Sequence, residues 1–442
     1  MREQKTRSNR PFQKFMKSEA SSGVILIASV IIALIWANID HNSYYDTWHI
    51  KVGFTFGSVS LYKSLIHWIN DFLMSIFFLL IGLEIKREIL IGELSDLKKA
   101  MLPIFAAIGG MVFPAIIFLV FNPFGSDYSK GWAVPMATDI AFALGILFIL
   151  GKSVPTALRV FLATLAIVDD MGAVLIIAIF YSDNINTEYL ILAAIMTVLL
   201  FVINKAGVRK FEVYSTLGLI LWFALLKSGI HSTLAGIILA LSIPATTKID
   251  FEDFNRISND LIKSLNESVD KKEMQNRSIK IYQNTLQTLE EACEDVQAPL
   301  QIIEHKIANF VTFIIVPIFA IANSGVVIAD SSGGIIGNKL VWGIIFGLVI
   351  GKPLGILFFV YLAVKLKIAK LPVQLNWSHI LGVGFLAGIG FTMSIFISSL
   401  AFVNPTLLAE AKLGILIAST VATLIGVGIL VNAKKIDKIL PL

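Results

Sequence analysis

The chain has 442 residues, 56% of them hydrophobic and only 15% charged, with a formal net charge of +5. That apolar share exceeds what a soluble globule carries, about half, and the surplus falls in long runs suited to lipid as the solvent. The basic residues gather at the ends of those runs rather than on one face or tail, which excludes nucleic acid as the partner, and the single cysteine, Cys293, excludes an intrachain disulfide.

The N-terminus is basic (Arg2, Lys5, Arg7, Arg10, Lys14, Lys17) and turns apolar at Val24. The pattern imitates a signal peptide, but no small-x-small site follows the run to Ala37, so it reads as a first spanning helix. A span needs about 20 apolar residues. The sequence offers twelve: 22–38, 68–86, 101–121, 131–150, 156–181, 187–204, 213–227, 230–243, 306–327, 340–364, 378–401 and 411–432. Between the first two, Ile50, Val52, Phe54 and Phe56 alternate up to Gly57-Ser58, and Val59 and Leu61 follow. This predicts a β-hairpin over 50–61 on the outer face. The seventh and eighth segments divide at Lys227-Ser228-Gly229. Ahead of the ninth lies a polar stretch, 245–303, where Tyr282, Leu286, Leu289, Cys293 and Val296 recur at helical spacing. It reads as a solvated cytoplasmic insert containing an amphipathic helix. With the N-terminus cytoplasmic, Lys86, Arg87, Lys98, Lys99, Lys152, Lys205, Arg209, Lys210, Lys365, Lys367 and Lys370 fall inside, as do Lys434, Lys435 and Lys438 of the tail. The opposite side holds scattered lysines such as Lys51, Lys63, Lys130 and Lys339. The bias places both termini in the cytoplasm.

An ionisable residue deep in a span costs several kcal/mol unless paired or hydrated, so it marks function by default. The fourth segment contains Val134-Pro135-Met136-Ala137-Thr138-Asp139. Pro135 removes a backbone donor and frees carbonyls, and such a break is tolerated only in protein or beside a watery cavity. Asp139 there is either an ion ligand or a cap between two half-helices, or both. The fifth segment carries the adjacent pair Asp169-Asp170, flanked mostly by apolar residues. Neighbours on a helix point about 100° apart, so one carboxylate can meet a cation while the other meets a fixed charge. Lys352, midway along the tenth segment in Gly351-Lys352-Pro353-Leu354-Gly355, is the natural fixed charge. The eleventh segment holds Gly384, Gly388 and Gly390 at midspan and no charge. That fits either an extended break, whose half-helix ends offer partial charges of both signs, or ordinary glycine-mediated packing.

These stretches, with Gly388-Ile389-Gly390-Phe391-Thr392-Met393-Ser394, Gly82-Leu83-Glu84-Ile85-Lys86-Arg87-Glu88 and Ala320-Ile321-Ala322-Asn323-Ser324-Gly325, stand in one order from about Asp71 to Lys412. In that order they resemble the motifs of the NhaA family of sodium/proton antiporters. The resemblance implies an all-α integral membrane protein with 12 transmembrane helices in one transporter domain, 1–442, with 245–303 as an extended cytoplasmic loop. NhaA is itself a standard example of inverted-topology repeats, so two such repeats are implied, with the broken fourth and eleventh helices crossing at mid-membrane. It implies a transporter rather than an enzyme, with no cofactor, in the bacterial inner membrane. It further implies electrogenic exchange of Na+ or Li+ for protons in pH and Na+ homeostasis, and a homodimer joined through the outer hairpin 50–61.

Position by position, Asp169 and Asp170 match the family's essential pair, with Asp170 as the carrier of cation and proton. Asp169 matches the partner of the lysine, here Lys352, and Thr138 and Asp139 match the broken-helix site. Glu84, Glu304 and His305 match positions tied to pH response. A second histidine of that pattern is expected near Ala308 and is absent, and the long insert before Glu304 sets the chain apart from compact members.

Sodium is a hard cation that takes oxygen ligands, as calcium and magnesium do. Asp170, Asp169 and the oxygens near Thr138 are the candidates. Burial and the nearby Lys352 act in opposite directions on the proton affinity of Asp170, so proton and sodium compete for one site. A site that crosses only when occupied then exchanges them. An intramembrane aspartyl protease would also need two membrane aspartates, but the Gly-x-Gly-Asp motif is missing and the pair sits on one helix. A sodium-coupled solute symporter would need a larger pocket with orienting polar groups.

Overall fold

The computed structural model describes residues 21–56, 59–151, 154–181, 185–269, 275–327 and 337–439. The basic N-terminal run, the Gly57-Ser58 turn and Lys152 lie outside these residues. Long apolar runs become long helices because a helix satisfies its own backbone where water is absent. In chain order these are α1 Ser21–Ile39, the short α2 His41–His49, then β1 Lys51–Phe56 and β2 Val59–Ser64. There follow α3 Leu65–Ile91 and α4 Leu97–Phe121, then a 3-10 stretch Ser129–Met136 leading to α5 Ile140–Ile149. Next come α6 Thr156–Phe180, α7 Thr187–Lys205, α8 Phe211–Ser228 and α9 Leu234–Ser242. The chain continues through α10 Phe251–Val269, α11 Gln275–Asp295, α12 Pro299–Asn323 and α13 Lys339–Lys365. It ends with α14 Trp377–Ala387, α15 Phe391–Ala401 and α16 Pro405–Ile439.

Among the described residues ten helical stretches are long and apolar enough to cross a membrane, or eleven if the bent pair α14–α15 counts as one span. The eighth predicted segment, 230–243, is the exception. Gly229 takes a left-handed φ of 84° at the end of α8, and the helix that follows, α9, has nine residues. At about 1.5 Å per residue that is under half the hydrocarbon thickness. The surface suits lipid: α7 leaves Ile191, Ile195, Val198 and Val202 exposed along one face, a stripe that would be a liability in water.

The predicted hairpin pairs antiparallel with Phe56 opposite Val59, and its second strand runs three residues past Leu61 to Ser64. The insert holds a helix where the sequence predicts one, α11, but Leu286 of its apolar set is 58% exposed. A second helix, α10, was not anticipated and packs against α11. The base of this pair is closed by Leu300 N–H to Pro244 O at 3.1 Å and by the Lys248–Asp295 ion pair at 2.7 Å.

Two packing features place the site. At the crossing of α4 and α13, a Cβ on Gly109 would meet Gly355 O at 2.1 Å, and one on Gly355 would meet Gly109 O at the same distance, so the backbones touch directly. That contact sets Lys352 one turn away, directly after a π-helical widening at Gly347–Gly351, a distortion common at functional sites. The other feature joins α12 to the N-terminal part. Asn323 donates to Asn70 Oδ1 at 2.8 Å, and the Tyr44 hydroxyl accepts from Gly325 N–H at 3.1 Å.

Candidate functional site

Two interruptions of helix run side by side. In one, helical structure stops at Met136, passes through extended Ala137, and resumes at Ile140 with Asp139 as N-cap. In the other, α14 ends at Ala387 and α15 begins at Phe391, with a bend of 45° between them. Each frees backbone groups that must find partners, since burial of an unpaired one costs as much as a lost hydrogen bond. The partners come from across the gap. Asp139 N–H donates to Ile389 O at 2.7 Å. The Asp139 carboxylate caps both helices that start here: Oδ1 accepts from Phe142 N–H at 3.0 Å, and Oδ2 from Thr392 N–H at 3.0 Å and the Thr392 hydroxyl at 2.5 Å. Ser394 donates to Val134 O at 2.8 Å, and Ser419 of α16 accepts from Gly390 N–H at 3.2 Å and Phe391 N–H at 3.3 Å.

Beside the interruptions lies the aspartate pair of α6. Asp169 and Asp170 are both buried. Asp169 Oδ2 accepts from Lys352 Nζ at 2.6 Å and from the Thr138 hydroxyl at 2.6 Å. Lys352 also donates to Met136 O, one of the carbonyls freed by the first interruption. Thr138 has a second acceptor in reach, Ala387 O at 2.9 Å. The Lys352–Asp169 pair is wholly buried on both sides. Such a pair holds position well but gains little net stability over an apolar pair of the same shape.

The unengaged atoms matter most. Asp169 Oδ1 and Asp170 Oδ1 are buried without a hydrogen-bond partner among the described residues. Buried polar atoms of this kind call for an explanation, commonly a ligand or a proton. Asp170 also opens on a cavity of about 790 Å³, which Glu84, Asp139, Thr392, Asn309 and Thr312 line with it. Asp169 and Lys352 are not among the lining residues, so the cavity meets the pair through Asp170.

The fold therefore gathers Thr138, Asp139, Asp169, Asp170 and Lys352 at one place and sets Glu84 in the cavity that reaches it. Glu304 is not among the lining residues and is paired with Arg87 at 3.1 Å, and His305 is exposed. Ala308, where a histidine is absent, does line the cavity. Sequence reasoning gave no role to Thr392, Ser394 or Ser419. Hydroxyls directly after the glycines of the eleventh segment were the available signal for the first two; Ser419 has none, because it arrives from a different helix.

Residues 13–430 match the family described as Na+/H+ antiporter 1. Among curated proteins, Na(+)/H(+) antiporter NhaA 2 of Aliarcobacter butzleri is 46% identical over 425 residues, covering 96% of this chain and 97% of its own. Na(+)/H(+) antiporter NhaA of Wolinella succinogenes is 45% identical over 414 residues, 93% of this chain and 91% of its own. A Helicobacter hepaticus relative, NhaA 2, is 42% identical over 443 residues, 99% and 98%.

Proposed function

The chain belongs to the Na+/H+ antiporter 1 family and is an NhaA-type Na+/H+ antiporter, and from that premise we propose that Asp170 is the group that carries Na+ and H+ in alternation. The observation that supports this is its buried, unpartnered Oδ1 at the end of a cavity. A dehydrated Na+ supplies the missing partner, and so does a proton, but not both at once. Asp169, Asp139 and Thr138 complete the ion site. Lys352 is the counter-charge that keeps two adjacent carboxylates compatible with burial.

A second proton is drawn from the coupled Asp169–Lys352 pair, which makes exchange electrogenic. Thr138 stands between two acceptors, so its hydroxyl can turn to Ala387 O when a proton arrives on Asp169 Oδ2. Li+, a smaller hard cation, takes the same oxygens. Alternation follows from rocking of two inverted repeats around the crossing of the two interrupted segments, in a bundle of twelve segments that counts α9 as a short one, with 245–303 as a cytoplasmic loop of the one transporter domain. The lysine bias puts both termini in the bacterial cytoplasm. Glu84, Glu304 and His305 contribute to the pH response and so to homeostasis. The open edges of the two-stranded sheet join two copies, and light scattering on a chain without the hairpin should report monomers that still exchange.

The test is kinetic. With one shared site, the apparent KM for Na+ rises about tenfold for each pH unit below the site's pKa, because protons occupy the carboxylate first. Two coupled protons steepen the slope toward two, and above the pKa it flattens. Initial rates of proton-gradient collapse in everted vesicles, with Na+ varied at several pH values, measure it. A constant KM with only the maximal rate falling would replace shared binding by a separate sensor.

A further inference from the structure

A second cavity, of about 860 Å³, shares no lining residue with the first among the described residues. It lies where α4 and α6 begin and where the chain leaves α13. Lys98 and Lys99 of the first turn of α4 line it, with Lys367 and Lys370 of the segment after α13. Among the described residues only one acid, Glu93, lines it as well. All four lysines are exposed, and none has an ion pair among the described residues, so their charge is open to something outside the chain.

Two features of backbone bear on the same place. The helix α6 starts at Thr156 after Pro155, with no side-chain cap, and Thr156 and Ala157 line the cavity. Orphan N–H groups and the positive end of the helix dipole therefore add to the lysines. Lys367 has a left-handed φ of 57°. It closes α13 through Lys367 N–H to Val364 O at 3.1 Å and Ile368 N–H to Ala363 O at 3.0 Å. This is the helix-ending position that glycine normally fills, since a Cβ there is strained. A lysine stands there in spite of the strain, at the edge of a cavity lined by three other lysines.

Apart from Thr164 and Gln374, the rest of the wall is apolar. Leu102, Val160 and Phe161, a turn or more into α4 and α6, continue the cavity along the spanning segments. A free anion needs the cations alone, whereas a molecule with a charged head and hydrocarbon chains uses both parts.

We propose that this cavity binds the phosphodiester headgroup of an anionic phospholipid, with the lysines and the open end of α6 on the phosphate and the apolar wall along the first acyl carbons. Basic pockets between spanning helices suit such headgroups. The inference is independent of the role given to Asp170.

Native mass spectrometry of the full chain in dodecyl maltoside tests it, with phosphatidylglycerol, phosphatidylcholine or inorganic phosphate added. Phosphatidylglycerol should bind in preference to phosphatidylcholine. K98Q/K99Q/K367Q/K370Q should weaken that binding by about fivefold for each lysine removed, while K51Q/K130Q/K227Q/K339Q leaves it unchanged. Lys367→Gly guards against a merely misfolded variant. It should melt at or above the parent temperature without lipid, since glycine suits φ 57°, and still lose about fivefold in phosphatidylglycerol affinity. Equal lipid binding by the two quadruple variants, or unchanged affinity in Lys367→Gly, overturns the proposal. Inorganic phosphate that displaces the lipid at equal concentration assigns the cavity to a soluble anion and overturns it too.

Discussion

Asp139 and Asp170 are both buried carboxylates at the centre of the same bundle, and their surroundings are opposite. Asp139 uses both oxygens: it starts α5, starts α15 and pairs with the Thr392 hydroxyl. Both residues line the same cavity, but Asp170 keeps a buried oxygen without a partner among the described residues. Both aspartates carry the same chemical cost of burial. In the first region the protein itself offsets that cost, so the charge builds architecture. In the second the cost is left to be met by a ligand or a proton, which is what a carrier needs. Asp169 stands between them, with one oxygen held by Lys352 and Thr138 and the other open.

The comparison breaks most directly at Asp170. Asp170→Asn should abolish Na+-dependent proton movement while the melting temperature in detergent stays near that of the parent, since no protein hydrogen bond to its buried oxygen is lost. Normal exchange at normal expression would remove Asp170 from the mechanism. Next comes Lys352→Ala, which strands the Asp169 carboxylate and should cost about 3–5 kcal/mol of stability. A lower melting temperature and an altered pH profile of exchange are expected together; if neither moved, the ion pair would have no bearing on the site. Asp139→Ala sharpens the contrast. It removes caps from two helices at about 1 kcal/mol each, and more where burial is complete, so a fall in melting temperature should accompany any loss of exchange. If melting were unchanged while transport vanished, Asp139 would serve the ion site without holding the two helix starts. The smallest effect is expected at Ser419. Ser419→Ala leaves Gly390 and Phe391 N–H without their acceptor, worth about 1 kcal/mol, and a slight drop in melting temperature with exchange retained would confirm a supporting role.

Much of this is legible along the chain. Hydropathy marks a membrane protein because a spanning helix must be apolar along its own length, a local property. An aspartate, a lysine or a proline inside such a run is conspicuous for the same reason, and Asp139, Asp169, Asp170, Lys352 and Pro135 were all found that way. Local patterns mislead where length is the question: 230–243 is apolar enough to suggest a span, yet Gly229 turns the chain and nine residues of helix remain. The helix α10 has only a faint signal in the sequence, Phe254, Ile257 and Leu261 at helical spacing, because a long polar stretch reads as a loop.

Hydropathy and charge along the chain establish the solvent of this protein, the segments that face it and the charges that must be explained. Tertiary structure alone decided which charge answers which. Asp139 caps a helix that starts 252 residues later in the chain, beside a hydroxyl 253 residues away, and Ser419 serves an interruption on another helix. Pairings of this kind depend on where helices cross, and crossings are set by surfaces such as Gly109 against Gly355, which no periodicity along one segment encodes. The distinction between a satisfied and an unsatisfied carboxylate is therefore a property of the packed molecule. It separates Asp139 from Asp170, two residues that look alike in the chain.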